Sequence, residues 1–292
     1  MSVEPMAFVT MVRGDHEMLS RWITHYAALV PDRQALHVFL HGHDERLLEM
    51  AKGCSVNVLP FDPSGRGFED ARRNLFFGMV RVLRGYYRHV ICVDTDEFLA
   101  IDPDLGVTLA DYLDGQDFES SALSPVGFDV VQRCSVETED ADMTRPLLAQ
   151  RSYGFADGVY SKPCIFRRSP RRGTQHMIRN EPWNIDPNLT LFHFRFFDRA
   201  YGQRVSRQRA ALVAQFDESG AEHNIGTWRD RTAAMERVLT QMDSETPADF
   251  DAAARDAFCE RQMHNHRTHG RLVWRDARHG PYCIPQRFKG LL

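Results

Sequence analysis

The chain has 292 residues, a formal net charge of -4, 43% hydrophobic residues and 26% charged residues, a balance that is ordinary for a globular protein with a sizeable core. The negative charge argues against general nucleic-acid binding, which needs a surplus of Lys and Arg to neutralise phosphates. The six cysteines include no CxxC pair, and we find no signal peptide and no apolar run of membrane-spanning length. We therefore expect a cytoplasmic protein with reduced thiols, compatible with peripheral contact at the inner membrane face.

Acidic and basic residues are unevenly distributed along the chain. Residues 94–145 carry fourteen Asp or Glu and two Arg, whereas residues 160–210 carry eleven Lys or Arg and three acids. If both segments line one cleft, the acidic one could hold a divalent cation and the basic one an anionic ligand. Two solvated faces of opposite charge explain the pattern equally well.

The first hundred residues alternate between strand and helix patterns. Short apolar runs predict strands, and apolar residues at three- and four-residue spacing predict helices. The strands are expected at Met6–Val12, Leu36–Leu40, Val56–Leu59 and Val90–Val93, and the helices after Asp15 and over Glu45–Lys52 and Phe68–Leu83. This order predicts an α/β fold with a doubly wound parallel sheet, whose first, second and fourth strands end at one edge.

The fourth predicted strand ends in the acidic stretch VDTDEFL, which contains Asp94, Asp96 and Glu97. Open α/β sheets bind ligands beyond the carboxyl ends of their strands, and carboxylate oxygens suit hard divalent cations. An acidic turn after a core strand is the simpler alternative for the motif taken alone.

The second half of the chain is less regular. We predict a short helix at Leu109–Leu113, and then three strands that carry Asp129, Lys162 and His193. The three strands are expected at Ser121–Val131, Val159–Arg168 and Leu189–Phe197, and helices are expected at Arg204–Phe216, at Trp228–Met242 and from Thr246-Pro247 onward. The polar stretch 132–158 is a candidate lid loop, because loops of that length in compact domains are often functional.

The element order and two motifs together resemble the GT-A glycosyltransferases. ARRNL (Ala71–Leu75) lies in the last helix of the first half, and VDTDEFL closes the unit, as in the nucleotide-sugar half of these enzymes. The opening MVRGDHEMLSRWITHYAAL resembles more narrowly the family 2-like bacterial branch, in which the acidic motif continues as DEF. The resemblance is good over about the first hundred residues.

This resemblance implies a GT-A (Rossmann-like) nucleotide-sugar-binding sheet with helices on both faces. Residues 1–200 would form the catalytic domain, with the nucleotide sugar bound by residues 1–100 and the acceptor by residues 101–200. Residues 201–292 would form a helical C-terminal extension. The implied activity is transfer of a hexose, by default from a UDP-sugar, to a glycan or glycolipid acceptor in polysaccharide biosynthesis.

The resemblance also implies a metal site. Asp94 and Asp96 would hold Mn²⁺ or Mg²⁺, which bridges the donor diphosphate, with Asp96 the stronger ligand and Asp94 touching the ribose or the metal through water. His193 would supply a third metal ligand, with His176 as second choice. For His193, a satisfied core histidine is an equally good alternative. Glu97 would support the ligands or point to solvent.

Further residues are implied as contacts of the nucleotide. Thr10, Val12 and Arg13 would lie near the base and ribose, and Arg73 and Asn74 near the nucleotide. Three basic side chains are candidates for pairing with the diphosphate, namely Lys162, Arg179 and Arg195. The turn after the second strand departs from the family, because it reads LHGHDERL where an acidic residue commonly contacts the base.

An inverting transfer needs a general base for the acceptor hydroxyl, normally Asp or Glu. The sequence offers four carboxylates for this role, and Asp129 and Glu181 rank ahead of Asp157 and Asp186 because they fall beside the strand and turn expected to face the site. A retaining mechanism would not require that base, so the stereochemistry stays open.

Two other classes of function remain open from the sequence. A metal-dependent phosphohydrolase could use the same clustered aspartates, although enzymes with an aspartyl nucleophile usually carry that motif after the first strand of the domain. A non-catalytic protein that binds nucleotide sugars or glycans is the other alternative.

Overall fold

The computed structural model describes residues 4–61, 68–170, 173–174, 177–178, 181–219, 231–269 and 277–292. His176, Arg179 and the side chain of Arg73 lie outside the described part of the chain, so their predicted roles stay predictions. None of the described helices is long and apolar enough to cross a membrane.

The described residues form strands and helices in a mixed order. The strands are β1 (Glu4–Val12), β2 (Leu36–His41), β3 (Ser55–Leu59), β4 (Tyr87–Cys92), β5 (Glu97–Ile101), β6 (Ala122–Val131), β7 (Tyr153–Asp157), β8 (Ile165–Phe166), β9 (Gly173–Thr174), β10 (Met177–Ile178), β11 (Ile185–Phe196), β12 (Ala248–Asp249) and β13 (Arg278–Cys283). The helices are α1 (His16–Ala27), α2 (Glu45–Met50), α3 (Phe68–Leu83), α4 (Leu109–Asp114), α5 (Arg199–Ser219), α6 (Thr232–Ser244) and α7 (Ala252–His269).

The first half is a parallel sheet in the order β3-β2-β1-β4. Alternate residues of β1 enter different cores, because successive side chains of a strand point to opposite faces. Phe8 packs in one core with Trp22 of α1, whereas Val9 packs in the other with Val80 of α3. Helices therefore cover both faces, and the predicted α/β fold class is confirmed.

The capping of α1 explains how the chain turns after β1. Asp15 is the N-cap residue, and its carboxylate accepts a hydrogen bond from the backbone N–H of Met18 at 3.2 Å. Trp22 and Tyr26 are fully buried on the inner face of this helix. The cap fixes the entry of the chain at the edge where β1, β2 and β4 end.

The second half extends the same sheet with mostly antiparallel strands. β6 pairs in parallel with β11, which in turn pairs in antiparallel fashion with β5. β8 joins β4 to β6, while β7 pairs with the other end of β6. The strand that follows the acidic stretch thus lies beside β11 and close to β6.

After Phe197 the chain forms the long helices α5, α6 and α7, in the region where the sequence predicts helices. The same part of the chain contributes β13, which pairs with β7 inside the large sheet. This strand was not predicted, because its sequence RHGPYC has Gly280 and Pro281 in the middle and no alternating apolar pattern.

Three sequence-based boundaries are wrong. The strand predicted over Val159–Arg168 is reduced to β8, because the backbone N–H groups of Tyr160 and Ser161 turn back to the carbonyl of Asp157. The helix expected from Thr246-Pro247 begins at Ala252, after β12. The stretch 132–158 contains β7, so only its first part is a loop.

The loop of residues 132–152 is packed onto the body of the protein. Leu147 and Leu148 are buried, and the Arg151 guanidinium pairs with the Asp198 carboxylate at 2.7 Å, with both side chains about 3% exposed. A lid needs a segment that separates from the body at low cost, and a buried ion pair opposes that movement. The lid hypothesis finds no support in this packing.

Candidate functional site

Three ionisable side chains lie at one level of the sheet. Glu97 on β5 is the register partner of His193 on β11, and His193 is the register partner of Asp129 on β6. Side chains of register partners on neighbouring strands point to the same face of a sheet, with Cβ atoms about 5 Å apart. The pairing of β5, β11 and β6 therefore brings together residues that are up to 96 positions apart in the sequence.

His193 is held from three sides. Its Nδ1 atom donates to Oδ1 of Asp129 at 2.8 Å, and the ring of Tyr160 stacks on the imidazole with centroids 3.8 Å apart. Its Nε2 atom lies 3.6 Å from Oδ2 of Asp96. Burial alone would lower the pKa of His193, but the hydrogen bond to Asp129 and the charge of Asp96 raise the pKa above its ordinary value.

Asp129 is fully buried and both of its oxygens are engaged. Oδ1 accepts from His193, and Oδ2 accepts from Nη2 of Arg278 at 3.0 Å. Arg278 lies on β13 and also contacts Asp157, whose carboxylate is 3.3 Å from Nε. A carboxylate behind a histidine fixes the tautomer and the orientation of the ring. The geometry favours this orienting role for Asp129 over the predicted role of general base.

The segment Asp94–Glu97 is here called the acidic turn. The Glu97 side chain closes this turn by a hydrogen bond to its first residue. Oε2 of Glu97 accepts the backbone N–H of Asp94 at 2.8 Å, while the N–H of Glu97 donates to the Asp94 carbonyl at 3.1 Å. Glu97 is 1% exposed, and burial raises its pKa although the neighbouring Lys162 lowers it. Of the two alternatives for Glu97, the supporting role fits this geometry and exposure to solvent does not.

Lys162 lies beneath the acidic turn and has no exposed surface. Its Nζ is 2.7 Å from Oε1 of Glu97 and 3.5 Å from Oδ2 of Asp94. Burial would lower its pKa, but these two carboxylates raise it, so the ammonium stays charged. The predicted contact of Lys162 with a diphosphate does not fit this placement, because the ammonium is buried against Glu97.

Asp96 and His193 fit two positions of a divalent-cation site. The Asp129 hydrogen bond on Nδ1 directs Nε2 toward Asp96, which is the arrangement in which histidine commonly binds metals. Asp94 is drawn toward Lys162, and among the described residues no group of three His, Cys, Asp or Glu is arranged to hold a metal ion. The predicted three-residue ligand set is therefore reduced to two. Mg²⁺ and similar ions commonly complete such sites with water and substrate phosphates.

A cleft runs along the carboxyl ends of β1, β2 and β4. Its larger part is a cavity of about 350 Å³, whose walls include Val12 and Arg13 after β1, His41 at the end of β2 and Arg72 of α3. Thr95 of the acidic turn also lines this cavity. A volume of this size is typical of small-molecule sites.

Individual side chains give the larger cavity its charge. Nη1 of Arg13 donates to the His41 carbonyl at 2.7 Å, and its guanidinium lies 3.7 Å from the centroid of the Phe61 ring. Burial, together with Arg72 and Arg13, lowers the pKa of His41 to about 4, so this ring is neutral at physiological pH. The cavity therefore offers three cationic groups, on Arg13, Arg72 and Arg209, together with the Asp15 carboxylate and one neutral imidazole. Of the other residues predicted here, Thr10 is buried in the strand and Asn74 is exposed on α3.

The wall opposite the sheet is α5, a helix to which we assigned no site residue from the sequence. Val205, Gln208, Arg209 and Leu212 line the larger cavity. Arg209 and Val205 also line a smaller cavity of about 40 Å³. The three- and four-residue spacing of these positions, which keeps them on one helix face, is a signal in the sequence that could have indicated this role.

The smaller cavity is lined by Asp96 and shares Asp15, Val205 and Arg209 with the larger one. Three arginines, Arg195, Arg209 and Arg231, and two aspartates, Asp15 and Asp96, contribute to its lining. Burial lowers the pKa of Arg231, and the positive charges of Arg195 and Arg209 lower it further. The Asp15 carboxylate accepts from the Tyr201 hydroxyl at 2.5 Å, and burial raises its pKa.

Glu181 does not lie near this cleft. Its Oε2 accepts the backbone N–H of Ser121 at 2.6 Å, immediately before β6 begins. Eight residues separate Ser121 from Asp129, which is roughly 26 Å at the rise of a β-strand. Glu181 is therefore not a candidate general base. The Asp186 carboxylate accepts a hydrogen bond from the Tyr112 hydroxyl at 2.8 Å, away from this cleft, so it is not a candidate general base either.

No protein-family model matches the sequence, and the search of curated proteins finds no similar sequence. Weak structural similarity exists to three solved structures, each 13% identical in sequence. They are the apo WbbM bifunctional glycosyltransferase (TM-score 0.29, 42% of this chain and 23% of that one), the galactosyltransferase LgtC with donor and acceptor sugar analogues (TM-score 0.25, 46% and 49%), and the mannosyltransferase PcManGT of Pyrobaculum calidifontis with GDP-Man and Mn²⁺ (TM-score 0.36, 93% and 77%). The chain spans less than a quarter of the first and about half of the second. These similarities are too weak to assign a function to the chain.

Proposed function

We propose that the protein is a metal-dependent glycosyltransferase, which transfers a sugar from a nucleoside diphosphate to a glycan or glycolipid acceptor. The observation that carries this proposal is the pairing of Asp96 with His193 beside an arginine-lined cleft, with Nε2 of the histidine 3.6 Å from the carboxylate. Asp129 fixes the histidine from behind at 2.8 Å. A carboxylate and an imidazole that can share a metal ion, placed next to cationic side chains, are suited to a ligand that carries a diphosphate.

Asp96 and His193 would hold Mn²⁺ or Mg²⁺ between them. When bound, such an ion acts as a Lewis acid that neutralises charge on the leaving diphosphate. Asp129 keeps the lone pair of Nε2 directed at the ion by holding the proton on Nδ1. Arg209, which lines both cavities, is suited to bind phosphate oxygens bidentately.

The larger cavity is the proposed nucleoside pocket. Arg13 and Arg72 supply positive charge, and the neutral ring of His41 can donate or accept a hydrogen bond with a base or ribose. UDP is the default donor by the sequence resemblance. The imidazole of His41 stands where an acidic residue commonly contacts the base in that family, so the choice of base is part of the test.

Binding calorimetry with UDP- and GDP-sugars, in Mn²⁺ and in EDTA, tests this proposal. We expect at least one donor to bind about tenfold or more tightly with Mn²⁺, and we expect Asp96→Ala to abolish the metal-dependent part. Asp104→Ala is the matched control, because the side chain of this aspartate is 74% exposed and its carboxylate lies 3.4 Å from Nε of Arg287.

Donor binding that needs no metal and is unchanged in Asp96→Ala would overturn the assignment. Release of phosphate from simple monoesters would favour the phosphohydrolase reading of the same aspartates. Donor binding without transfer to any member of a broad acceptor panel would favour a non-catalytic binding protein.

A further inference from the structure

The irregular segment Tyr160–Cys164, between β7 and β8, contacts both sides of the proposed metal site. Tyr160 stacks on His193 with an interplanar angle of 22°. Two residues further on, Lys162 reaches Glu97 of the acidic turn at 2.7 Å. Between them, the Ser161 hydroxyl accepts a backbone N–H of β6 at 2.8 Å, which fixes the segment to the sheet.

The Glu97 carboxylate contacts both Lys162 and the backbone of the acidic turn. One carboxylate oxygen pairs with the ammonium of Lys162, and the other accepts the backbone N–H of Asp94 at 2.8 Å. Glu97 can therefore close the turn only while its carboxylate keeps this orientation.

The orientation of Asp96 depends on the same turn. Asp96 lies between Asp94 and Glu97, and its own carbonyl accepts the N–H of Phe194, next to His193, at 2.8 Å. The backbone on both sides of Asp96 is thus tied, on one side to β11 and on the other to Glu97. A change in the Glu97 side chain would release one of these two ties.

We propose that Lys162 is a positioning residue, which acts through Glu97 to hold the acidic turn so that the Asp96 carboxylate faces Nε2 of His193. Tyr160 supports the opposite side by holding the imidazole ring in place. Lys162 touches neither the metal nor the diphosphate, because its side chain has no exposed surface. The inference rests on the proposed function only in its use of Mn²⁺ and UDP as probes.

The contact between Lys162 and Glu97 is an ion pair because both groups are buried together. A buried carboxylate without a partner carries a large desolvation cost, and an anionic Glu97 can both accept the N–H of Asp94 and form an ion pair with Lys162. The Lys162 ammonium also lies 3.5 Å from Asp94, so it attracts both carboxylates that flank Asp96. Removing the ammonium leaves three neighbouring carboxylates that repel one another.

The test compares Lys162→Met with the double variant Lys162→Met/Glu97→Gln. The single variant leaves a buried unpaired carboxylate and is expected to lose stability, whereas the double variant removes both charges and should regain thermal stability. Arg287→Met is the control, because it breaks an ion pair to Asp102, with N and O atoms 2.7 Å apart, outside the cleft. Two readouts are measured, namely amide hydrogen exchange of peptides spanning residues 93–99 and the affinity for Mn²⁺ in the presence of UDP.

We expect Lys162→Met to raise amide exchange in residues 93–99 and to weaken Mn²⁺ binding by about tenfold or more, whereas Arg287→Met changes neither. The double variant should recover its melting temperature but not its Mn²⁺ affinity. The proposal is overturned if exchange in residues 93–99 is unchanged, or if the double variant binds Mn²⁺ within about twofold of the wild type. If the wild type binds neither Mn²⁺ nor UDP, the proposed function fails, and the exchange result alone decides the positioning role.

Discussion

At the scale of single residues, the candidate site depends on how one histidine is oriented. His193 contacts Asp129, Asp96 and Tyr160, so its ring is fixed on three sides. Asp129 in turn contacts Arg278 on β13. The orientation of the His193 ring therefore depends partly on Arg278, a residue from the C-terminal part of the chain.

Asp129→Asn is expected to weaken Mn²⁺ binding by about 10- to 100-fold, the usual effect of changing a hydrogen-bond partner behind a metal ligand. The amide is neutral, so it holds the Nδ1 proton of His193 less strongly than a carboxylate does. Titration of Mn²⁺ by calorimetry measures the change. Asp186→Asn is the control, since that buried carboxyl contacts Tyr112 instead, and an equal loss of Mn²⁺ affinity in this variant would contradict the account.

Sequence reasoning selected Asp96 and His193 as candidate ligands, because an acidic pair after a core strand and a histidine in an apolar strand are visible as local patterns. It could not predict the ion pair between Lys162 and Glu97 or the hydrogen bond from Arg278 to Asp129. Lys162 is 65 residues from its partner Glu97, and Arg278 is 149 residues from Asp129. Such contacts depend on how distant strands pair, which the hydrophobic periodicity of a short stretch of sequence does not reveal.

At the scale of elements, α5 is the helix through which the C-terminal part of the chain contributes side chains to the cleft. Val205, Arg209 and Leu212 face the cavities, whereas Arg207 on the same helix is exposed and donates a hydrogen bond to the carbonyl of Gln203. The two faces of α5 therefore provide a matched pair of arginines.

Arg209→Gln should weaken UDP binding by about tenfold or more, because a charge-assisted hydrogen bond contributes about 1.5–3 kcal/mol. Arg207→Gln should leave the affinity unchanged. Both values can be measured by calorimetry with UDP and Mn²⁺. Equal effects of the two substitutions would show that α5 contributes only general positive charge.

The contact between β6 and the segment Tyr160–Cys164 requires a glycine. A Cβ atom at Gly127 would lie 2.4 Å from backbone atoms of Tyr160 and Ser161. Gly127→Ala should therefore destabilise the protein by about 1–3 kcal/mol, the range for overpacking a core, as measured by chemical denaturation. Gly78→Ala is the control on α3, where nothing lies within 4 Å, and it should stabilise by about 0.5–1 kcal/mol. Equal effects at both glycines would contradict the close approach.

The order of the elements in the first half was predictable, since hydrophobic periodicity and Asp15 as a cap are strong local signals. The Val159–Arg168 strand was not predicted correctly, because burial of Ser161 and Lys162 comes from contacts with β6 and the acidic turn. β13 was missed for a similar reason, since its pairing with β7 stabilises a segment that has Gly280 and Pro281 inside it.

At the scale of the whole molecule, buried neutral histidines link folding to pH. Burial lowers the pKa of His25 and of His89 to about 4. The unfolded chain binds protons at these sites near pH 6.5, whereas the folded protein does not. Stability contributed by these groups is therefore present above pH 6.5 and is lost as pH falls from 6.5 toward 4.

Melting temperatures between pH 7 and pH 4.5 should fall steadily with pH. His25→Gln should make this decline shallower, because the amide can still donate to the Leu99 carbonyl, which His25 contacts at 2.8 Å, but cannot take up a proton. A decline of equal slope in His25→Gln would assign the acid sensitivity to other groups.

The central claim is that Asp96 and His193 bind one divalent cation beside a nucleoside diphosphate. The most direct measurement is anomalous diffraction at the manganese edge from crystals grown with Mn²⁺ and UDP. The account predicts one strong peak in contact with both the Asp96 carboxylate and Nε2 of His193, with the diphosphate on the same ion and the nucleoside in the cavity beside Arg13. A manganese peak away from this pair, or UDP bound outside the cleft, would contradict it.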